Sequence, residues 1–228
     1  MAAMTALGRG FYGIAEAARL VKLEESRVRR WTKGYRAPKS RHWMPPLVGF
    51  DGVSRQPASS LSFADLIKIR HLEHFIVKGV SIRYLRAVVE SARIQLNTSH
   101  PFGTHRFVTD GRSILRDVSK EFNYAALENI ITSQLESEKF IESMLKGELD
   151  FDDQDVATRW WPLTKKRDVV IDPQRRFGAP ISHKAGIPTS ILARAYRAEG
   201  SFRAVASWHS LPWQSVRDAV VFENKLAA

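Results

Sequence analysis

No cysteine occurs in the 228 residues. Disulfides and thiolate metal sites are thereby excluded, and a reducing compartment is the expected setting. No run approaches the ~18 apolar residues that a membrane span needs. The N-terminus has no charged stretch followed by an apolar core, so no secretory leader is expected. These absences together point to the cytoplasm. Catalytic signatures are missing as well: no Ser/His/Asp or Cys/His arrangement stands out, and His105, His183 and His209 are single and scattered. Gly8, Gly10 and Gly13 spell GxGxxG, but a dinucleotide fingerprint must follow a strand, and too little chain precedes it. His71 and His74, with Glu73 between them, lack a third ligand at matching spacing, and solvated helix-face histidines are the commoner case. Asp150, Asp152, Asp153 and Asp155 lack the loop glycine and terminal Glu of a calcium loop. No enzyme, cofactor or metal is therefore expected.

What is plentiful is positive charge. The net charge is +11, in blocks: +7 over residues 1–60, +5 over 61–120, −6 over 121–165 and +5 over 166–228. Basic lobes favour a polyanion through counterion release. The acidic block would be repelled from DNA and is expected to face elsewhere, as a dimer or partner surface.

The stretch from Gly13 to Arg36 carries the sharpest pattern. Ile14, Ala17, Ala18 and Val21 keep helical spacing, a tight turn follows, and a second helix places Arg27, Arg29, Arg30 and Lys33 close together. Val28 and Trp31 supply its buried face. That pattern predicts a helix-turn-helix with a cationic recognition helix. Ser26, Arg27, Arg29, Arg30, Lys33 and Arg36 are the candidate DNA contacts, Arg29 alternatively serving the packing of the turn. Residues 35–60 are rich in Pro, Gly and Ser, and a wing hairpin is expected around Asp51-Gly52. Lys39, Arg41 and His42 would hold phosphates from it.

Further along, Ser62 with Asp65 predicts a capped helix carrying Phe63, Leu66, Ile69, Leu72 and Ile76, stopped at Gly79. Ser81 begins another, with Ile82, Leu85, Val88, Val89 and Ala92 on one face. Residues 105–118 read as a β-hairpin around Thr109-Asp110-Gly111, and a long acidic helix is expected from about Asn123 to Lys146. Residues 147–165 have no steady period and read as an extended linker. In it, Trp160 and Trp161 would anchor in a partner's pocket or dock on the protein's own core. The last sixty residues read as two strands, then three short helices. Ile191, Leu192, Ala195, Tyr196, Val205, Trp208, Val216, Ala219, Val220 and Phe222 form their core, and Gln214, Ser215 and Arg217 point outward from a second helix-turn-helix.

The expected organisation is mainly α with short β-hairpins: a winged helix-turn-helix over 1–120, an acidic helix and linker over 121–166, and a small helix-turn-helix-like domain over 167–228. Glycine-Ile14-Ala15-Glu16-Ala17-Ala18, then Ser26, Val28, Arg29, Trp31 and Gly34, then Leu61-Ser62-Phe63-Ala64-Asp65, resemble the MerR-like winged-helix class. The turn glycine common in that class is Lys22 here, and the effector helix and metal cysteines of the metal-sensing branch are missing. At the other end stand Ile171-Asp172-Pro173, Arg176-Phe177-Gly178 with Pro180, Ile187-Pro188-Thr189, Gly200-Ser201, Val205-Ala206, Val216 with Ala219, and Phe222-Glu223. These resemble a small domain often encoded beside PIN-like toxin genes. The two ends together look like VapB-type antitoxins of the larger, two-domain kind.

That resemblance implies a homodimeric DNA-binding antitoxin that neutralises a PIN-domain ribonuclease toxin and represses its own promoter. PIN toxins hold metal on clustered carboxylates, so an inserted cation would block them. Arg159, Trp160, Trp161, Arg175 and Arg176 are the candidate toxin contacts. Two other readings remain open: a stand-alone MerR-like regulator whose C-terminal domain dimerises or binds a ligand, and an architectural protein that holds DNA with both helical units.

Overall fold

The computed structural model describes residues 10–37, 42–49, 60–77, 80–122 and 148–227. These form mostly helices with short antiparallel strand pairs, as the sequence pattern predicts. They divide into two compact units: residues 12–122 with 151–157, and residues 10–11 and 148–150 with 158–227. Among the described residues no helix is long and apolar enough to cross a membrane.

The first unit opens with a two-residue strand β1 (Tyr12–Gly13) and α1 (Ile14–Val21). Ile14, Ala17, Ala18, Leu20 and Val21 are buried, the face that the apolar spacing predicts. α1 ends at Lys22 in the left-handed region, φ 59° and ψ 50°, where Leu23 N donates to Ala18 O at 2.9 Å. The position where the resembled class carries glycine is thus the one whose backbone favours glycine. α2 (Glu25–Lys33) follows and buries Val28 and Trp31. Gly34 ends it at φ 73°, where a Cβ would lie 2.7 Å from Met44 O. Only glycine tolerates both conditions.

The strands β2 (Tyr35–Arg36) and β3 (Trp43–Met44) pair antiparallel, Tyr35 with Met44 and Arg36 with Trp43. This hairpin sits upstream of the expected one, whose Asp51-Gly52 turn lies outside the described residues. β4 (Ser60–Leu61) pairs back to β1 and leads into α3 (Phe63–Val77). The capping box forms as predicted: Ser62 N and Oγ donate to Asp65 Oδ2 at 3.0 and 2.8 Å, and Asp65 N donates to Ser62 Oγ at 3.1 Å. Asp65 Oδ1 also accepts from Gly49 N at 3.0 Å, tying the chain after β3 to the start of α3. The expected stop at Gly79 lies outside the described residues. α4 (Ile82–Leu96) buries Leu85, Val88, Val89 and Ala92 as expected, and Leu96 besides.

The segment expected as a hairpin is instead helix α5 (His105–Phe122). Thr104 starts it, its Oγ1 accepting from Phe107 N at 3.3 Å. Phe107, Ile114, Leu115 and Val118 are buried at spacings of seven, one and three, a helical stripe. Their burial outweighs the cost of about 1 kcal/mol for a glycine inside a helix, so the Asp110-Gly111 turn signal loses. The expected acidic helix over 123–146 lies outside the described residues.

The expected linker is structured as well. β5 (Leu149–Phe151), β6 (Ala157–Trp160), β7 (Val169–Ile171) and β8 (Pro180–Ser182) form one sheet in that order. β7 and β8 pair Val169 with Ser182, Val170 with Ile181 and Ile171 with Pro180, and Trp160 pairs with Ile171. Asp152 Oδ1 accepts from Gln154 N and Val156 N, both at 2.9 Å, so one member of the acidic cluster builds the turn between β5 and β6. That turn belongs to the first unit: Thr104 bridges Val156, and Asp155 O accepts from His105 N at 2.9 Å.

Three helices complete the second unit, as the sequence predicts: α6 (Thr189–Glu199), α7 (Phe202–Trp208) and α8 (Trp213–Ala227). Leu192, Val205, Ala206, Val216 and Ala219 form their core. Ile191 and Trp208, expected inside, are 40% and 59% exposed. A polar network lies under the helices: Asp168 accepts from Ser182 Oγ at 2.6 Å, and Asp218 from Asp168 N at 3.1 Å and Arg167 Nη1 at 2.6 Å. Thr189 Oγ1 donates to Glu223 at 2.5 Å. Each buried carboxylate is thereby satisfied, the condition for burying it at all.

Candidate nucleic-acid interface

α2 carries the candidate site. At about 100° per residue, Ser26, Arg29, Arg30 and Lys33 fall within an arc of roughly 100°, opposite Val28 and Trp31. All four are exposed, whereas Val28 and Trp31 are 0% and 4% exposed. Docking the apolar pair on the protein therefore turns the cationic arc to solvent. Arg30 lies over the Tyr35 ring, 5.9 Å from its centroid, which holds its guanidinium beside the β2–β3 hairpin. Arg36 and His42, on either side of that hairpin's loop, are exposed. Lys39 and Arg41 lie outside the described residues.

Two of the expected arginines have partners in the protein. Arg27 donates through Nη1 to both oxygens of Glu73, at 2.9 and 2.8 Å, fastening α2 to α3. Arg29 pairs with Glu25 one turn earlier on the same helix. The packing role considered for Arg29 thus falls to Arg27. Arg30, Lys33 and Arg36 make no ion pair with a described carboxylate, so their charge is the most available to a polyanion.

The second candidate surface is rearranged. Ser215 was expected outward, yet it is 1% exposed and its Oγ has no partner among the described residues. Val216 and Ala219 face the α6–α7 core, and the turn of α8 that buries them takes Ser215 inside too. Gln214 is exposed. Arg217 stacks on Trp213, 5.1 Å from the ring centroid, and pairs with Asp218 at 3.2 Å.

Of the residues expected to meet a toxin, Trp160 and Trp161 are 2% and 8% exposed. Their ring nitrogens donate to Glu148 at 3.3 Å and Asp150 at 2.8 Å. The alternative in which both dock on their own core describes them. Burial pushes the Asp150 carboxyl up, but hydrogen bonds from Lys165 and Trp161 and the charges of Lys165 and Arg159 prevail and hold it below its usual value. Arg159 bonds Asp172 at 3.2 Å, and Arg175 bonds His183 O at 3.0 Å. Sequence reasoning passed over Phe177 as a contact. It is 71% exposed, and Arg176, Phe177 and Gly178 have consecutive positive φ of 49°, 57° and 83°. A bulky residue rarely adopts that conformation, and no local sequence rule announces it.

His71 also departs from expectation: it is buried, 3% exposed. Its Nδ1 donates to Ile67 O at 2.6 Å, Nε2 has no partner among the described residues, and Phe102 and Phe107 flank the ring. Burial lowers its pKa to about 4. No group of three ligands able to hold a metal occurs among the described residues.

This mainly helical fold is shared with a solved protein, Rv2018 from Mycobacterium tuberculosis. The TM-score is 0.69 at 20% sequence identity, covering 92% of this chain and 96% of that one. Among curated proteins, the chain is 22% identical over 227 residues to "Putative antitoxin VapB45" of Mycobacterium tuberculosis (strain ATCC 25618 / H37Rv), covering 92% of each. The similarity to a VapB-type antitoxin therefore runs along most of the chain. No protein-family model matches.

Proposed function

We propose that this chain is the antitoxin of a type II toxin-antitoxin system: a homodimer that binds DNA at its own promoter and neutralises a PIN-domain ribonuclease. One observation carries the DNA reading, the cationic arc of α2 set opposite its docked face. Arg30 and Lys33 enter the major groove with Ser26, and Arg36 and His42 hold phosphates from the hairpin as a wing. Arg27 positions α2 through Glu73 and touches no base. A dimer spaces two such helices one DNA turn apart.

The toxin reading rests on the similarity to VapB45 along 92% of the chain. We assign the toxin contact to the Arg176–Phe177 tip, where an exposed aromatic ring adjoins a cation suited to a carboxylate-lined active site.

The experiment is binding of the full chain to DNA from upstream of its own gene across a salt series, joined to a nuclease-treated pull-down from the native host. Arg30→Ala is expected to weaken promoter binding by about 1–3 kcal/mol if it reads a guanine, or to lower the salt slope by about one if it meets phosphate. Unchanged affinity at every salt concentration refutes the assignment. The pull-down is expected to return a stoichiometric PIN-domain nuclease, lost in Phe177→Ala. Recovery of the chain alone, with its gene neighbours expressed, refutes the antitoxin role.

A further inference from the structure

In the first unit, α3, α4 and the chain after β3 line a half-open cavity of about 520 Å³. Its apolar wall is Pro45, Pro46, Leu47 and Val89, and its charged wall is Lys68, Arg86 and Arg93 with one carboxylate, Glu90. The charges do not cancel. Glu90 is taken by Arg93 at 3.2 Å. Asp65, one turn from Lys68 on α3, spends both oxygens on Ser62 and Gly49. Among the described residues Arg86 bonds only the neutral carbonyls of Pro45 and Pro46, at 2.6 and 3.5 Å, and its buried Nε has no partner there. Lys68 is the most telling. It is 8% exposed and makes no hydrogen bond or ion pair with a described residue.

A charged side chain drawn this far out of water gains from a counter-charge, and the cavity beside Lys68 and Arg86 is where one would sit. We propose that this cavity binds a small organic anion, a carboxylate or phosphate ester with an apolar body, whose charge lies between Lys68 and Arg86. The apolar wall receives the body, and the volume falls within the usual range for small-molecule sites. Nothing in the antitoxin reading requires this site.

The state of Lys68 supports the assignment. Burial lowers its pKa to about 8; Asp65 and Glu90 raise it, and Arg93 and Arg86 lower it further. A bound anion would favour the ammonium and raise the pKa. Binding near pH 8 should therefore take up a proton, about half of one per site.

The test is calorimetry of the full chain with salicylate and with phenyl phosphate, and with benzyl alcohol as the uncharged control. Either anion is expected to bind one to one, with proton uptake at pH 8 read from buffers of different ionisation enthalpy, and with affinity falling as the pH rises above 8. Lys68→Met is expected to weaken that binding at least about tenfold, as the loss of a charged hydrogen bond implies. It keeps an unbranched side chain only one atom shorter and removes a charge from a largely buried site, so it should fold. If it does not, the wild-type proton uptake decides. Lack of saturation by both anions, equal binding of benzyl alcohol, or binding without proton uptake overturns the proposal. So does a Lys68→Met chain that loses promoter affinity but keeps the anion, because Lys68 would then serve DNA phosphate.

Discussion

Acid should weaken this fold through one buried side chain, His71. Its ring is buried against Phe102 and Phe107, and burial moves its pKa from 6.5 down to about 4. The unfolded chain binds a proton below about pH 6.5 and the folded chain refuses it until about pH 4, so stability is fully present above the unfolded value and declines as the pH falls between the two. With those two values, about 2 kcal/mol is missing at pH 5 relative to pH 8, and the limit at still lower pH is roughly 3 kcal/mol. That is a large part of the usual 5–15 kcal/mol of a domain. The assay is urea unfolding, followed by tryptophan fluorescence, at pH 8 and pH 5, for the wild type and His71→Leu. Leucine is close in volume and leaves no unpartnered ring nitrogen, so at pH 8 the variant should lie within about 1.5 kcal/mol of the wild type. Carboxylates titrate alike in both proteins, so the difference isolates His71. If the two proteins lose equal stability on going to pH 5, the reasoning fails.

Two further outcomes follow from the same unit. Lys22→Gly relieves a left-handed residue at φ 59° and should raise stability by up to about 1 kcal/mol after the entropy of glycine is offset, seen as a melting temperature a few degrees higher; a lower one contradicts the turn geometry. Asp65→Ala removes the acceptor of Ser62 N, Ser62 Oγ and Gly49 N and should cost about 2–3 kcal/mol in chemical unfolding, whereas a loss below 1 kcal/mol would mean that water replaces the carboxylate.

Local signals explain what could be read from the sequence. The spacing of Ile14, Ala17, Ala18 and Val21, the Ser62–Asp65 cap, and the Gly200 stop before α7 each act within a few residues, and each appears where the pattern puts it. The errors arise where a distant contact overrides a local rule. Asp110-Gly111 is a turn dipeptide only until Phe107, Ile114, Leu115 and Val118 find a core to fill. In residues 149–160 the polar run 152–155 splits the apolar side chains, so no steady period announces the hairpin, which β7 and the Asp152 turn organise. At the candidate site, the residue types on α2 were legible, but their division of labour was not. That Arg27 serves the fold depends on Glu73, 46 positions away. Lys68 shows no sequence signal at all, because it shares α3 with the apolar residues that bury it.

The excursion of residues 151–157 into the first unit has a consequence for how the chain is made. A protein whose units follow one another along the chain completes its first before the second leaves the ribosome. Here the partners of Thr104 and His105 are Val156 and Asp155, so the first unit waits for a piece synthesised some fifty residues after α5 begins. A cut between the units would not free a whole one, because the seam runs back and forth across the chain. Synthesis, truncation and gene fusion all meet one constraint: the first unit is finished only from within the sequence of the second.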